Sequence, residues 1–494
     1  MDSGGTLEAS NCSALDGPVA SPLPPRIGPF KAPARSPGLF LPSGARPNQI
    51  SGRLFLAEDL RRLSSVGTLC IWQKSAKAVV RVQPRGCGWL VKKMTKQKFL
   101  PSESEQQKIL AEARNLKMAR SAHAYVRGST IRFYEWLEDS AQKKLPSGPP
   151  VWICGDCHLG NLGPIASASG AIGVQIRDFD QSVIGNPVHD LIRLGLSLAS
   201  AARGSDLPGV TTAKMVEQLV EGYELSFSDN APTEQDEDLP SAVHLVMVEA
   251  ASRTWKQLAK ERIEDTEPSI PLGKRFWPIT AAEKKAIEKL FEIGHVHGLA
   301  TMLRSRDDDA PVELIDAAYW MKGCSSLGLL RFAVLLGVGK KKDRKMCLMD
   351  VKEATKAAAP RYPDAKMPSD NGERVLEGAR HLSPNVGERM RSATLLDKSI
   401  FVRELLPQDL KLEIEHLTRE EAMKASRYLA NVVGQAHARQ LDSATRKAWF
   451  KELNLNRTKS LDAPSWLWTS IVELMSSHEG AYLEHCRKYA LGAQ

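Results

Sequence analysis

The pattern of hydrophobic and polar positions divides the chain into five segments. Residues 1–50 show no hydrophobic period and are rich in proline, glycine, serine and alanine, which predicts a disordered tail. Residues 51–150 mix short apolar runs with one amphipathic helix, predicted over residues 102–118. We expect this second segment to pack on the core as an N-terminal α/β segment.

The other three segments are predicted to form the core. Residues 151–310 begin with two short strands and continue as a mainly helical region. Residues 311–410 contain apolar runs punctuated by glycines, which predict an antiparallel sheet with one helix near residues 373–381. Residues 411–494 have helical periodicity and would complete the helical part. The predicted fold class is therefore α+β.

A loop rich in polar side chains follows the first strand of the 151–310 segment. Residues 151–153 predict a buried strand, which breaks at Gly155. Asp156 and Asn161 follow with the five-residue spacing that separates the catalytic aspartate from the magnesium-binding asparagine in a kinase catalytic loop. His158 lies between them, where we expect it to hydrogen-bond within the loop.

A second polar loop follows the next predicted strand. Residues 173–176 lead into Asp178 and Asp180, which flank a phenylalanine at the place of the kinase Asp-Phe-Gly motif. Asp178 would bind, together with Asn161, the magnesium ion that bridges nucleotide phosphates, and Asp180 would support it. Asp190, further along, would brace the preceding loop.

The sequence C-G-D-C-H from Cys154 to His158 also fits other cofactors. It matches the attachment motif of a c-type haem, but that needs an exposed loop and export, and the first residues lack the order of a secretory signal. A zinc site at Cys154 and Cys157 would need a second close cysteine pair, which the sequence lacks. The aspartates of the two loops could also simply cap turns, but capping does not explain the ordered set.

The other parts of a phosphate site lie downstream. Gly323 and Gly328 frame a loop between two apolar runs, where a phosphate cradle is predicted. Lys352 ends the third apolar run, and a lysine buried there would be costly unless it served the nucleotide phosphates. Glu373 or Glu377 of the following helix could pair with Lys352, and Glu377 is the favoured partner. Glu404 lies in the last strand, at the expected nucleotide hinge.

Within each half, the motifs keep the order found in kinases, but the two halves are exchanged. The predicted architecture is therefore a two-lobed, protein-kinase-like fold with a small antiparallel-sheet lobe and a mainly helical lobe. The order of its motifs is circularly permuted.

The motifs also carry a resemblance to a known family. The chain resembles the family catalogued as domain of unknown function 2252 over nearly its whole length after the proline-rich tail. Matching motifs stand at 118–128, 155–163, 177–181, 185–194, 323–328, 351–354, 372–374, 401–405 and 436–439. Arg177 and Gln181 replace the usual Asn and Glu, and the glycine loop lacks its central glycine. The family name implies no activity.

A second resemblance implies residue roles. The stretches GDCHLGN, IRDFD and GNPVHDL look like the HGDxHxxN, D-F/W-D and GDPxxDL series of aminoglycoside and choline kinases. This likeness implies that Asp156 positions and deprotonates a hydroxyl, that Asn161 and Asp178 bind Mg²⁺, and that Lys352 binds ATP phosphates. Arg127 would either meet an anionic substrate or hold a carboxylate.

Composition narrows the partners. The net charge of +9, from 67 basic and 58 acidic residues, is modest, and the lysine run at 340–342 predicts a solvated turn, so we expect no nucleic-acid partner. No apolar run approaches the about 18 residues of a membrane-spanning helix. Eight scattered cysteines indicate reduced thiols in a cytoplasmic protein.

The sequence therefore predicts an ATP- and Mg²⁺-dependent phosphotransferase of the small-molecule-kinase type, acting on a hydroxyl of a small molecule or a protein. Two alternatives stay open. One is an enzyme that transfers the AMP part of ATP to a protein, and the other is a nucleotide-binding pseudokinase scaffold, which the altered glycine loop favours. A single site requires Lys352 to lie within reach of Asp178.

Overall fold

The structure is a computed structural model. It describes residues 101–141, 145–228, 239–263, 269–324, 326–412, 418–455, 457 and 462–491. The tail predicted at 1–50 and residues 51–100 of the next segment lie outside the described residues.

Ten strands form three antiparallel sheets in the described part of the chain. They are β1 (Val151–Ile153), β2 (Leu162–Ala166), β3 (Ile172–Ile176), β4 (Val183–Gly185), β5 (Phe276–Trp277), β6 (Val312–Trp320), β7 (Arg331–Val338), β8 (Lys345–Glu353), β9 (Met390–Leu395) and β10 (Lys398–Glu404). β1 pairs with β4, and β2 pairs with β3. The other six form one sheet in the order β5-β6-β7-β8-β10-β9.

The described residues also form fourteen α-helices. They are α1 (Glu103–Met118), α2 (Ala122–Gly128), α3 (Thr130–Trp136), α4 (Val188–Gly204), α5 (Gly209–Leu225), α6 (Ser241–Ser252), α7 (Trp255–Ile263), α8 (Ala281–Glu292), α9 (Gly294–Thr301), α10 (Asn371–Leu382), α11 (Pro384–Glu388), α12 (Arg419–Ala438), α13 (Ser443–Leu453) and α14 (Ser465–Cys486). The α+β class with small antiparallel sheets is confirmed.

The six-stranded sheet is covered on both faces, and β8 shows how alternation divides its side chains. Met349 and Val351 pack with α8 and α9 on one face. Leu348 points to the opposite face, where it packs with α7. Because successive side chains of a strand alternate, Asp350 and Lys352 share the face of Leu348. Two ionisable groups are thereby buried under the sheet, next to the polar loops.

Helix α4 is the centre of the helical part. Nearly every one of its residues is buried, so it is surrounded by α2, α5, α12 and α14 rather than lying on the surface. Leu191, Leu194 and Leu198 belong to its apolar core cluster. The same burial places the polar residues Asp190 and Arg193 inside the protein, both fully buried.

Local signals explain both the predicted elements and the missed ones. α1 starts where predicted, because Ser102 and Glu105 form a capping box. β9 was not predicted, since its turn to β10 is Leu396-Asp397, both at positive φ, rather than the Asn-Gly expected in such a turn. None of the described helices is long and apolar enough to cross a bilayer.

The buried His478 of α14 predicts a pH-dependent stability. Burial lowers the pKa of His478 to about 4 from its usual 6.5. The unfolded chain therefore binds a proton that the folded chain does not bind, and stability falls as the pH drops through this window. As the pH is lowered, we expect the free energy of unfolding of His478→Gln to fall less than that of the parent. The difference should reach about 3 kcal/mol near pH 4.

The measurement is urea unfolding across the pH series, with the exposed His244→Gln as the matched control. His244→Gln should follow the parent. Parallel curves for the parent and His478→Gln would contradict the neutral burial of this imidazole.

Candidate functional site

Asp190 holds the loop that follows β1. Its carboxylate accepts hydrogen bonds from the backbone N–H groups of Cys154 at 2.6 Å and Gly155 at 2.9 Å. Gly155 has a φ of +70°, and a side chain there would collide with the backbone oxygen of Gln181, so glycine is required. The loop that carries Asp156 is therefore held by α4 through the Asp190 side chain.

A histidine completes this support. Nε2 of His437, at the end of α12, lies 3.2 Å from an Asp190 oxygen, and Nδ1 of His437 lies 2.9 Å from the Tyr223 hydroxyl. All three side chains are buried. His437 was seen in the sequence only as part of a helix-end motif, and its contact with Asp190 spans 247 positions.

Asp156 projects from the braced loop and pairs with an arginine that the sequence did not single out. Arg193 donates from Nε at 3.0 Å and from Nη2 at 2.9 Å to the same oxygen, Oδ1. Burial raises the pKa of Asp156, and Arg193 opposes this rise. Both hydrogen bonds from Arg193 go to Oδ1, so the other carboxylate oxygen of Asp156, Oδ2, receives none from this arginine. Arg193 is one helical turn after Asp190, which is the signal that could have found it.

The hydrogen bond expected from the His158 side chain within its loop is not seen among the described residues. Nε2 of His158 lies 3.9 Å from Asp156 Oδ2, which is too long, and its Nδ1 has no hydrogen-bond partner among the described residues. Burial, with nearby Arg127, lowers the pKa of His158 well below its usual value. The imidazole is therefore neutral.

The Asn161 side chain and the Asp178 backbone both lie next to the sulfur of Cys154. The Asn161 side-chain nitrogen lies 3.9 Å from this sulfur, and the Asp178 carbonyl lies 3.5 Å from it. The same nitrogen donates to the Asp156 carbonyl at 3.0 Å, so Asn161 Oδ1 is the atom that could contribute to a cation. The structure brings the two predicted metal ligands to adjacent loops.

The Lys352 side chain extends from β8 of the six-stranded sheet to the loop that carries Asp178. Its ammonium lies 3.7 Å from Asp178 Oδ1 and donates to Asp180 Oδ2. Only 3% of Lys352 is exposed, whereas about half of the Asp178 side chain (48%) is accessible. The two predicted halves of the site therefore meet, as a single site requires.

The pKa values of the two carboxylates around Lys352 are shifted in opposite directions. Burial opposes ionisation of Asp178, but Lys352, Arg403 and Arg331 together hold its pKa below the usual value. Burial and the neighbouring Asp178 raise the pKa of Asp180. Asp178 is thus the carboxylate of the pair with the lowered pKa and the accessible side chain, which suits a metal ligand.

The donor set fits magnesium better than a softer metal. Among the described residues, no group of three or more His, Cys, Asp or Glu side chains is arranged to hold a metal ion. Magnesium is commonly bound through one or two carboxylates, with the remaining positions filled by waters and substrate phosphates. Asp178 and the Asn161 oxygen offer that kind of partial oxygen set.

The predicted glycine loop connects β6 and β7 and contacts α1. Gly323 and Gly328 have φ values of +106° and +105°, so both positions favour glycine. Lys117 donates to the Gly323 carbonyl at 2.6 Å, and Gln107 donates to the Gly328 carbonyl at 3.2 Å. The N-terminal segment thus fixes both ends of this loop.

The prediction that Glu377 pairs with Lys352 is wrong. Glu377 bonds Arg380 at 2.6 Å on the outer side of α10, while Lys352 takes Asp180 and Asp178 as partners. α10 instead contributes Arg374. The helix turns its apolar face and this one arginine inward, and its glutamates outward.

Arg374 holds the second polar loop through backbone atoms. Its Nη2 donates to the Asp180 carbonyl at 2.9 Å and to the Thr355 carbonyl at 2.8 Å, and its Nη1 donates to the Ser182 carbonyl. Arg374 lies in one of the shared sequence motifs, and this was the only signal for it.

Glu404 does not belong to the site either. Alternation along β10 points its side chain to the face opposite Lys352. Its two carboxylate oxygens accept from Arg306 at 2.6 and 2.9 Å in a buried ion pair, and its carbonyl accepts from Arg389 at 2.8 Å. The carboxylate and the carbonyl of Glu404 are thus both bonded to arginines.

Arg127 lies beside the Asp156 loop. A side chain at Gly160 would come within 2.9 Å of the Arg127 guanidinium carbon, so glycine permits this contact. No carboxylate of the described residues pairs with Arg127, and its Nε has no hydrogen-bond partner there. Cys154 and Cys157 of the same loop are each 1% exposed, which does not suit haem attachment.

The family assignment rests on a match of the amino-acid sequence to a family model. A family model described as an uncharacterized protein conserved in bacteria, DUF2252, matches residues 106–488. The chain belongs to the DUF2252 family. The match includes both polar loops, β8 and the end of α12, so both halves of the candidate site are part of the DUF2252 region. No curated protein and no solved structure matches the chain.

The support of the loop by Asp190 in this DUF2252 protein can be tested. Asp190→Asn preserves the shape but presents an NH₂ group where a backbone N–H needs an acceptor. We expect a loss of about 3 kcal/mol in the free energy of unfolding, measured by chemical denaturation. Asp364→Asn, on the surface, should change stability by less than about 0.5 kcal/mol. Equal stabilities of the two variants would show that Asp190 does not brace the loop.

Proposed function

We propose that this protein is a Mg²⁺- and ATP-dependent phosphotransferase of the small-molecule-kinase type, with a protein-kinase-like fold whose motif order is circularly permuted. The observation that carries the proposal is the ion pair between Lys352 and Asp180, 172 positions apart, with Asp178 at 3.7 Å. A lysine on a strand and an aspartate on a loop are the two halves of a kinase phosphate site.

The order of elements supports the permuted fold. The glycine loop joins β6 to β7, the lysine ends β8, and α10 lies between β8 and β9 along the chain. This sheet would form the small lobe, and α4, α5, α12 and α14 the larger one. Helix α12 would precede the catalytic loop in a kinase, and here its His437 contacts Asp190 of α4, the residue that binds the loop backbone.

The reaction would use side chains of both loops. Asp156 Oδ2 would accept the proton of the acceptor hydroxyl while the hydroxyl oxygen forms a bond to the γ-phosphorus and the bond to the leaving ADP breaks. A pKa raised by burial makes Asp156 a better proton acceptor than an ordinary aspartate. Asp178 and Asn161 would hold Mg²⁺, which neutralises phosphate charge, and Lys352 would bind the phosphates.

One observation favours a second function. Asp156 is paired with the buried Arg193 through two hydrogen bonds, and an aspartate so engaged accepts a proton less readily. A pseudokinase scaffold that binds nucleotide without transfer would tolerate this pair. Transfer of AMP instead of phosphate would release pyrophosphate rather than ADP, so product analysis separates it from the proposed reaction.

The metal assignment predicts a nucleotide-dependent stabilisation. At about 100 times the Kd, Mg·ATP should stabilise the protein by about 2.7 kcal/mol in thermal or chemical unfolding. Asp178→Ala should abolish the magnesium-dependent part, because the ionised ligand is gone. The exposed Asp308→Ala is the matched control and should keep it. If Asp178→Ala retained the full magnesium effect, the metal assignment would be wrong.

The proton-acceptor assignment predicts loss of turnover without loss of binding. Asp156→Asn should reduce ATP consumption, followed as ADP release, by at least about a hundredfold, while Mg·ATP still stabilises the protein. A parent protein that binds Mg·ATP but releases neither ADP nor pyrophosphate would favour the scaffold instead.

A further inference from the structure

The sheet face that carries Lys352 is crowded with cations. Asp350, two positions before Lys352, is fully buried and accepts from Arg331 Nε at 2.8 Å and Nη2 at 2.5 Å. Arg403, directly opposite Asp350 on β10, lies 3.5 Å from the same carboxylate. One buried carboxylate therefore serves two arginines.

Two further cations approach this face. The Lys322 ammonium lies 4.0 Å from the centre of the Trp320 ring, and no carboxylate of the described residues pairs with it. Arg177 lies beside Arg403: its carbonyl accepts from Arg403 at 2.8 Å, while its guanidinium donates to the Asp409 carbonyl at 3.1 Å. We name the five residues the strand-face cation cluster: Lys322, Arg331, Lys352, Arg403 and Arg177.

The strand-face cation cluster has more positive than negative charge. Its five cations face four carboxylates, those of Asp178, Asp180, Asp350 and Asp409, and Asp409 is already paired with Arg389. The nearby Arg262 of α7 adds no surplus, since it pairs with Glu261 at 3.2 Å.

Electrostatic strain in the cluster agrees with the surplus. Burial and the neighbouring Arg331 lower the pKa of Lys322 well below its usual value. The Nε atoms of Arg403 and Arg177 are buried with no hydrogen-bond partner among the described residues. A bound anion would relieve both features.

The same face is closed where the base of a nucleotide would be expected. Beyond the cluster, Leu348 and Leu405 are covered by Ala259 and Trp255 of α7 and by Phe276. A purine needs an apolar slot, and on this face Leu348 is already packed against the protein. A cavity of about 770 Å³ lies past the end of β10, lined by Leu303, Leu406 and Gln408 among others, so a base bound there would lie outside the covered face.

The strand-end backbone groups are also occupied. The Leu405 N–H donates to the Leu348 carbonyl at 2.9 Å, and the Leu406 N–H donates to Asp409 at 3.2 Å. The Glu404 carbonyl accepts from Arg389 at 2.8 Å. These groups are not available to recognise the edge of a base.

We propose that the phosphoryl donor is recognised through its phosphate chain alone, held by the strand-face cation cluster, with any base lying outside the covered face. This inference rests on the proposed function and specifies its donor as a linear polyphosphate, of which ATP is one form. In the transfer, the terminal phosphorus bonds to the acceptor oxygen, and the shortened polyphosphate leaves with the electron pair of the broken P–O bond.

The test compares three probes on the full-length protein with Mg²⁺: ATP, inorganic tripolyphosphate and adenosine. Titration calorimetry should give tripolyphosphate and ATP dissociation constants within about tenfold of each other, and adenosine should not displace ATP. Arg403→Gln and Lys322→Gln should each weaken both polyphosphates by about tenfold or more. The surface variants Arg304→Gln and Lys340→Gln are matched controls and should change binding by less than about twofold.

Several results would overturn the inference. Adenosine that displaces ATP, together with tripolyphosphate that binds more than about a hundredfold more weakly, would show that the base is recognised. Tripolyphosphate binding unchanged in both cluster variants would place the anion elsewhere. Two variants are used so that misfolding of one, checked by circular dichroism, leaves the other informative.

The same titrations separate this inference from the proposed function. Tight tripolyphosphate binding that is lost in Arg403→Gln, with no turnover of any donor, would support the cluster and refute the phosphotransferase. Turnover of ATP inhibited by adenosine would support the phosphotransferase and refute recognition by phosphates alone.

Discussion

A buried ammonium group is the constraint on which the candidate site depends. Lys352 is 3% exposed at the end of β8, and a cation in that position is tolerated only with negative partners. Asp178 and Asp180 are those partners, and both come from a loop far away in the sequence. The need to neutralise one lysine therefore ties the six-stranded sheet to the helical part and brings the two sets of motifs together.

Arginines provide much of the rigidity around this contact, by donating to backbone carbonyls as well as to carboxylates. Arg374 binds the carbonyls of Asp180 and Thr355, and Arg389 binds that of Glu404. An arginine offers five donors in a planar group, so one side chain can connect several strands and loops. The loops are thereby fixed without regular secondary structure, while the Asp178 side chain remains accessible.

Most of the described elements and the proximity of Lys352 to Asp178 could be predicted from the sequence, but β9 and the partners of the glutamates could not. Lys352 and Asp178 belong to motifs whose spacing and strand context are informative on their own. Glu377 was chosen by analogy with the kinase order, and the helix rotation, set by its apolar face, turns Glu377 outward. Glu404 lies on the sheet face opposite Lys352, because successive side chains of β10 alternate between the two faces. Arg403 gave no local signal, since its partner is distant in the sequence.

The central claim is that the two polar loops and β8 form one magnesium–phosphate site. Its most direct test is the anomalous diffraction of manganese in crystals grown with Mn²⁺ and a non-hydrolysable ATP analogue. We predict a manganese peak about 2.1 Å from an Asp178 carboxylate oxygen, with Asn161 beside it and a phosphate oxygen within hydrogen-bond reach of Lys352. Manganese and phosphates bound away from Asp178 and Lys352 would contradict the account.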